Sequence, residues 1–134
     1  SQWTLEANLT VQRAEFREGV YAGNDIPVVA SQLGNLTVSW KPRSEFTVAL
    51  SDAFTGKRYM DNAQTNSFIQ IPAAHRLDLK LLLDLKPLSV SLDIFNLTDN
   101  QDHYEYAVRS TSAPRYNAYP LSPREYRLGL AYQF

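Results

Sequence analysis

Cysteine is absent from the 134 residues, and histidine occurs only at His75 and His103. Without cysteine, disulfide frameworks and cysteine-ligated zinc or redox centres are excluded, and two distant histidines do not suggest a metal site. An excess of one charge is also missing, because thirteen basic and fourteen acidic residues leave a net charge of -1. Nucleic-acid-binding proteins usually carry a strong basic excess, so we expect no nucleic-acid partner.

Long apolar runs are missing as well. The most apolar segment, 79–85, is interrupted by Lys80 and Asp84, and the mean hydropathy is -0.34. A membrane helix needs about 18–20 consecutive apolar residues, so a helical membrane protein is excluded. A transmembrane β-barrel is not excluded, because its alternating strands average to a polar hydropathy. The first residues lack the basic and apolar regions of a signal peptide, so we expect either a mature chain or a fragment.

Alternation of apolar and polar residues dominates the sequence that is present. In residues 2–13 the apolar side chains fall on every second position from Trp3 to Val11, which indicates a strand because successive side chains point to opposite faces. The same rule holds in 35–40, 46–55, 76–85, 88–94 and 125–134. All seven prolines lie between these runs or at their edges, where no sheet hydrogen bond is lost. We therefore predict an all-β fold of six antiparallel up-and-down strands.

The connections between the predicted strands alternate strictly between short and long. Residues 41–45 and 86–87 form tight turns, whereas 14–34, 56–75 and 95–124 form long loops. In an up-and-down sheet this pattern puts all short turns at one end and all long loops at the other. Outer-membrane barrels have this asymmetry, with short periplasmic turns and long extracellular loops, so the strands are expected to be transmembrane.

Aromatic residues cluster at the short-turn end of the apolar face. The predicted membrane-interface girdle consists of Trp3, Trp40, Phe46, Tyr132 and Phe134. The opposite face is mostly small and polar, with charges concentrated on 76–85, which suits a water-filled or plugged lumen better than bulk solvent. Asp52 breaks the pattern, because it falls on the apolar face near mid-membrane. We predict a β-bulge or local shift that turns it inward or towards a polar neighbour.

Five short motifs, in order and with consistent spacing, resemble those of the barrel of TonB-dependent outer-membrane receptors. They are Gly23-Asn24-Asp25-Ile26-Pro27, Tyr59-Met60-Asp61-Asn62, Asn96-Leu97-Thr98-Asp99, Pro123-Arg124, and the closing Gly129-Leu130-Ala131-Tyr132-Gln133-Phe134. The last resembles the assembly signal of outer-membrane strands, with Arg127, Gly129, Tyr132 and Phe134 as its key positions. The sequence departs from the family pattern at Glu125, since no glycine separates Pro123 from Arg124.

The resemblance spans essentially the whole chain and implies the C-terminal part of a barrel of about 22 strands with an N-terminal plug. Six strands do not close a barrel in lipid, and two open edges in a bilayer are prohibitive, so we expect a piece of a larger protein. The implied location is the bacterial outer membrane. The implied partners are the rest of the barrel and its plug, the TonB complex, the barrel-assembly machinery, outer-membrane lipid and a small-molecule ligand.

The resemblance also implies a transport function. The ligand would be a ferric siderophore, otherwise cobalamin or an oligosaccharide, imported with energy supplied through TonB. Nothing in the sequence has the spacing of a catalytic triad, a phosphate loop or a metal centre, so we predict neither an enzyme nor a cofactor. Two alternatives stay open. One is a soluble all-β ligand- or carbohydrate-binding module with the apolar face inside. The other is a small outer-membrane barrel with extra strands from 59–72 or 104–119.

Tyrosine and arginine are concentrated in the last long loop, 95–124. Such side chains can stack on and ion-pair with an anionic chelate or a sugar. The candidate ligand contacts are Tyr104, Tyr106, Arg109, Arg115, Tyr116 and Tyr119, with Tyr59, Asp61 and Asn62 of the preceding loop as weaker candidates. The alternative is that these tyrosines pack the two arms of a long hairpin above the membrane.

Overall fold

A computed structural model describes residues 2–60, 63–67, 70–101, 104–109 and 116–134. All regular structure in these ranges is β, and they contain no helix long and apolar enough to cross a bilayer. The ten strands are β1 (Gln2–Val11), β2 (Gln32–Arg43), β3 (Phe46–Thr55), β4 (Arg58–Tyr59), β5 (Gln70–Ile71), β6 (Ala74–Leu85), β7 (Leu88–Phe95), β8 (Tyr104–Arg109), β9 (Tyr116–Pro120) and β10 (Glu125–Tyr132).

Six of these strands form one antiparallel sheet in the order β1-β2-β3-β6-β7-β10. Each strand pairs with the next of the six along the chain, so the sheet is an up-and-down meander. The short turns meet at one end and the three long loops at the other. The predicted fold class, an all-β sheet of six up-and-down strands, is therefore confirmed.

The strand ends differ in places from those expected from the alternation. Strand β2 is longer than 35–40, and its turn to β3 is two residues rather than five, because Arg43 already pairs with Phe46. The register shifts between Trp40 and Arg43, and Pro42 lies in this irregularity, where its missing N–H does not interrupt the ladder. The periodicity breaks at the shift, which is why the sequence pattern ended the strand too early.

The predicted bulge at Asp52 is wrong. Both ladders of β3 run in regular register through this residue, which pairs with Leu36 on one side and Leu77 on the other. Asp52 therefore stays on the apolar face. The polar neighbour that we expected does exist: Nδ1 of His75, on the adjacent strand, lies 2.9 Å from Oδ2 of Asp52. A cross-strand partner relieves the cost of the carboxylate without any change of register.

The register gives the sheet two distinct faces. Val38, Leu50, Leu79, Ile94 and Tyr126 belong to a face that is apolar on all six strands. The other face carries hydroxyl, amide and charged side chains, including an Oγ1–Oγ contact of 2.9 Å between Thr37 and Ser51. We call these the apolar face and the polar face.

The aromatic residues of the apolar face do not share one hydrogen-bonded row. The row that begins at Trp3 passes through Trp40 and ends at Leu128 of β10, four residues before Tyr132. A line from Trp3 to Tyr132 therefore shifts by about 13 Å along the strands over about 24 Å across them, an angle of about 30°. Barrel strands tilt by about 35–45° from the barrel axis, so a sheet tilted in this way would bring these residues close to one level.

Apart from Ala74 at the start of β6, the buried apolar residues that the structure describes lie among the long loops rather than on the sheet. Met60, Ala63, Ile71 and Ala107 form this loop cluster, with Tyr59, Tyr104 and Ala118 packed against it. The cluster joins two small hairpins that the alternation did not predict, β4–β5 and β8–β9. The sheet itself exposes its apolar residues, as Leu5, Leu9, Leu128 and Leu130 are each about 70% exposed.

Candidate ligand-binding loops and polar face

The first two long loops are tied together by asparagine side chains. The backbone N–H of Asp25 donates to Oδ1 of Asn66 at 2.6 Å, and Nδ2 of Asn66 donates back to the carbonyl of Asp25 at 3.0 Å. Asn24 donates to the carbonyl of Gln64 at 2.8 Å. The motif segment 23–27 thus takes part in the contact between the two loops, which the backbone bond from Val28 to the carbonyl of Tyr59 reinforces at 2.8 Å.

The second and third long loops meet through a buried arginine and the loop cluster. Arg58 is 8% exposed and donates from Nη2 to the carbonyl of Tyr104 at 3.2 Å. The rings of Tyr59 and Tyr104 pack against the loop cluster, so both of these candidate ligand contacts also support the loops. These two rings therefore have a packing role, as the alternative interpretation of the tyrosines expects.

The third loop rises as the hairpin β8–β9, which carries most of the candidate tyrosines. Its register places Tyr106 opposite Tyr119, and Arg109 opposite Tyr116. Tyr119 is 58% exposed. Of the other candidates, Asp61, Asn62 and Arg115 lie outside the described residues.

A further set of bonds closes the base of the third loop. Asn96 is 1% exposed and in the left-handed region with a φ of 49°, a conformation that asparagine tolerates better than most residues. Its Nδ2 donates to the carbonyls of Ser122 at 2.8 Å and Asn100 at 3.1 Å, and its Oδ1 accepts from the backbone N–H of Asn100 at 3.0 Å. Asn96 therefore joins the two ends of the loop.

Asp99 performs a similar function beside Asn96. It also has a positive φ, 51°, and its Oδ1 accepts from the backbone N–H of Arg124 at 2.9 Å. This bond, together with the side chain of Gln101, holds the pKa of the Asp99 carboxyl below its ordinary value. The motifs 96–99 and 123–124, separate in sequence, thus form one polar junction at the top of the sheet.

The polar face carries a band of ion pairs across β6, β7 and β10. Arg76 pairs with Asp78 at 3.0 Å, Lys80 with Asp93 at 3.4 Å, and Arg127 with Glu125 at 3.2 Å. The guanidinium of Arg127 also lies 4.8 Å from the centre of the Phe95 ring. Because these six charges are paired with opposite ones, the band is hydrophilic without strongly favouring either sign of charge.

The aromatic and assembly-signal residues lie where the alternation placed them. Trp3 and Trp40 stack with ring centres 5.6 Å apart, Phe46 opens β3 on the same face, and Tyr132 meets Phe134 edge-on at 5.2 Å. Gly129 lies on the polar face opposite Ser91, and a Cβ at this position would be 2.5 Å from the Ser91 hydroxyl. A larger residue there would displace the serine side chain.

A cleft opens between the first two long loops. It has a volume of about 140 Å³, and its lining includes Arg13, Asp25, Lys57, Arg58 and Tyr59. Pockets for drug-sized ligands usually have about 300–1,000 Å³, so this cleft by itself fits only one small group of a ligand. Within the described residues, no three histidine or acidic side chains form a metal-binding group.

Sequence reasoning did not identify Arg58 or Asn66, and it gave Asn96 no structural role. A buried arginine next to a small apolar cluster has no periodic signal in the sequence. Asn96 could have been found, because an asparagine directly after a strand often adopts a positive φ and bonds to nearby backbone. The contact between Asn66 and Asp25 joins residues 41 positions apart, which local patterns do not reveal.

No protein-family model matches the chain, and no curated protein matches it significantly. Several solved structures do match the chain. The ferric-catecholate import receptor Fiu from E. coli K12 matches 96% of this chain and 18% of its own, with a TM-score of 0.76 and 18% identity. The ferric citrate transporter FecA, in its unliganded form, matches 96% of this chain and 21% of its own, with a TM-score of 0.76 and 26% identity.

The ferric yersiniabactin uptake receptor FyuA from Yersinia pestis gives a similar result, with a TM-score of 0.75, 22% identity, and coverage of 96% of this chain and 20% of its own. The chain therefore spans about a fifth of the length of the structures it matches. These matches confirm the resemblance to the barrel of TonB-dependent receptors. The sheet has the fold of an outer-membrane receptor wall, and the bacterial outer membrane is its location.

Proposed function

We propose that this chain is part of an outer-membrane receptor that binds a ferric siderophore and imports it with energy supplied through TonB. The observation that carries the proposal is the match of 96% of the chain to three ferric-chelate receptors and transporters. The separation of the sheet into an apolar and a polar face supports it, because a barrel wall needs one face for lipid and one for the lumen. Import by such a receptor is binding and transport, so no catalytic role is assigned.

The rest of the barrel is the partner that the sheet requires. Among the strands that the structure describes, β1 and β10 each have one hydrogen-bonded neighbour, so each has an edge that further barrel strands would satisfy. The polar face, with its paired charges and hydroxyl groups, would then meet the lumen and the plug domain. TonB would act through the plug and not through the residues described here.

Ligand recognition in this proposal belongs to the loops. The exposed Tyr119 and the hairpin positions Tyr106, Arg109 and Tyr116 would offer aromatic stacking and positive charge to an anionic chelate. Arg115, Asp61 and Asn62 extend this set. Tyr59 and Tyr104 would contribute their hydroxyl groups while their rings support the loop cluster.

The direct test uses the full-length receptor purified from outer membranes. Binding of ferric catecholate, ferric citrate, cobalamin and an oligosaccharide would be followed by the quenching of intrinsic fluorescence. We expect saturable binding of one ferric chelate, and iron-dependent growth that fails when the gene is deleted. Tight binding of cobalamin or the sugar alone would contradict the siderophore assignment.

A Tyr119→Ala variant is expected to weaken binding of the ferric chelate. The control is Val20→Ala, a substitution in the first loop at a position that is 91% exposed.

The C-terminal strand has a second proposed partner, the barrel-assembly machinery. Its recognition signal would consist of Arg127, Gly129, Tyr132 and Phe134, on or just after β10, whose outer edge pairs with no other described strand. Pairing through an open edge is the general means by which one strand recognises another. Phe134→Ala is expected to slow assembly, measured as the fraction of heat-modifiable receptor in pulse-labelled cells. The control variant, Gln133→Ala, is expected to assemble at the normal rate.

A further inference from the structure

One residue of the first long loop has a backbone conformation that its side chain disfavours. Among the described residues, four that are not glycine have a positive φ, and three of them are Asn66, Asn96 and Asp99. Asparagine and aspartate tolerate the left-handed region, because their short polar side chains bond to nearby backbone groups. The fourth is Val28, with a φ of 68°. A β-branched side chain is strained in this region, so the surroundings of Val28 impose its conformation.

Hydrogen bonds on both sides of Val28 fix the chain around it. Before it, the backbone N–H of Ile26 donates across the first loop at 2.9 Å. After it, the carbonyl of Ala30, a residue that is 4% exposed, accepts from Nε2 of Gln12 at 2.9 Å. Val28 itself donates from its backbone N–H to the carbonyl of Tyr59 in the second loop at 2.8 Å. The strained residue therefore lies where the first loop is bonded to the second.

The bonds between the two loops form what we call the latch. It consists of the bond from Val28 to Tyr59 and the two-way bonds between Asp25 and Asn66, at 2.6 and 3.0 Å. The side chain of Val28 is 36% exposed, so its burial offsets only part of the strain. When the latch bonds break, Val28 can return to the extended region that β-branched residues prefer. Strain at Val28 therefore makes the closed latch less stable relative to the open one.

The latch also borders the cleft between the same two loops. Asp25 and Tyr59 each take part in a latch bond, and both line this cleft of about 140 Å³. Separation of the loops would move these two residues apart and enlarge the cleft. The closed latch therefore keeps the cleft at a size that fits only a small group.

We propose that the latch is a strained closure, poised to open, and that Val28 determines how often the cleft between the first two long loops widens. Glycine or asparagine at this position would adopt the same φ at lower cost, so valine makes the closed state less stable than the same backbone allows. Relief of the strain should therefore hold the loops together and keep the cleft narrow. This opening is a property of the loops themselves and does not depend on transport.

The test measures hydrogen exchange of the Asp25 amide, which donates to Asn66 across the latch, in the full-length receptor without ligand. This amide exchanges when the latch opens, so its rate reports the population of the open state. We expect Val28→Gly to slow the exchange about tenfold and Val28→Asn to slow it about fivefold, because both residues tolerate a positive φ. The control is Val20→Gly, the same substitution in the same loop at a residue that is 91% exposed and does not have a positive φ.

A second measurement follows the width of the cleft. Ala14 lines the cleft and is half-buried, so a cysteine at this position should react with a bulky thiol reagent mainly when the latch is open. Val28→Gly in the Ala14→Cys receptor should slow this labelling by about the same factor as the exchange, about tenfold. Heat-modifiable migration shows that the barrel of each variant is folded.

Three results would overturn the proposal. The first is exchange at Asp25 that is unchanged or faster in both Val28 variants, and the second is an equal change in Val20→Gly. The third is labelling at position 14 that stays the same while the exchange slows, which would show that the latch opens without widening the cleft. Neither measurement uses a ferric chelate, so a failure of the proposed transport function would leave both results interpretable.

Discussion

At the scale of single residues, the polar junction at the base of the third loop depends on Asn96. This side chain is 1% exposed and makes three hydrogen bonds to backbone groups of Asn100 and Ser122, so its truncation removes all three. A hydrogen bond of this kind contributes about 0.5–1.5 kcal/mol to stability.

We predict that Asn96→Ala loosens the third loop by about 1–3 kcal/mol while the sheet stays intact. Hydrogen exchange of the Asn100 amide, which donates to Asn96, should speed up accordingly. Asn96→Asp is the matched variant, because it keeps the acceptor at this position and loses the two Nδ2 donors; we expect an intermediate rate. Unchanged exchange in Asn96→Ala would show that the junction is not held by this residue.

Asp99 gives the junction a dependence on pH. Its pKa is lowered in the folded chain, mainly by the bond from the Arg124 N–H, so its stabilising contribution is full above the ordinary carboxyl pKa. The contribution is lost as the pH falls through the lowered pKa of the folded state. The Arg124 amide should therefore be protected at neutral pH and lose protection only in strong acid, after correction for the intrinsic exchange rate. Asp99→Asn keeps an acceptor but does not titrate, so this variant should not show the acid loss.

The residue scale is also where the sequence was least informative. The alternation shows that Asp52 is out of place on the apolar face, but it does not identify His75 as its partner, because the pairing of β3 with β6 determines which residues meet diagonally across the strands. Arg58 and Asn66 act through contacts with backbone carbonyl and N–H groups far away in the sequence. Such contacts depend on tertiary geometry, and local residue patterns carry little information about them.

At the scale of elements, the alternation predicted the six sheet strands because one side of each strand is apolar along most of its length. The exceptions have physical causes. Pro42 accompanies a register shift that hid the end of β2, and β4, β5, β8 and β9 are short, lie outside the sheet and do not alternate strictly. Loop hairpins are stabilised by packing with each other, as the loop cluster shows, so their strands have no regular apolar face.

The loop cluster leads to a prediction for these hairpins. Ile71 is 2% exposed, and its truncation to alanine removes packing between β4–β5 and β8–β9. A buried Ile→Ala change costs about 2–5 kcal/mol, so we expect limited proteolysis to cut the loops of Ile71→Ala much faster in intact outer membranes. The sheet should stay folded, as judged by heat-modifiable migration. Val20→Ala, at a position that is 91% exposed, is the control and should be cut at the normal rate.

At the scale of the whole molecule, the central claim is that the apolar face meets lipid and the polar face meets the lumen. Leu79 lies near the middle of the apolar band, and an arginine there should destabilise the folded receptor by about 2–4 kcal/mol. Ser51→Arg is the control at a similar depth on the polar face, where the new charge would lie opposite Asp78. We expect Leu79→Arg to reduce the amount of folded receptor in the outer membrane and Ser51→Arg to leave it nearly unchanged. The reverse order would contradict the assignment of the faces.

The most direct measurement of this claim is a scan of single cysteines along β6, since the 134 residues contain no cysteine of their own. Each cysteine at 76–83 would carry a fluorophore in the full-length receptor, reconstituted in bilayers of brominated lipid. The account predicts strong quenching at 77, 79, 81 and 83 and weak quenching at 76, 78, 80 and 82. Quenching in the opposite phase, or with no alternation, would show that the leucine face does not meet lipid.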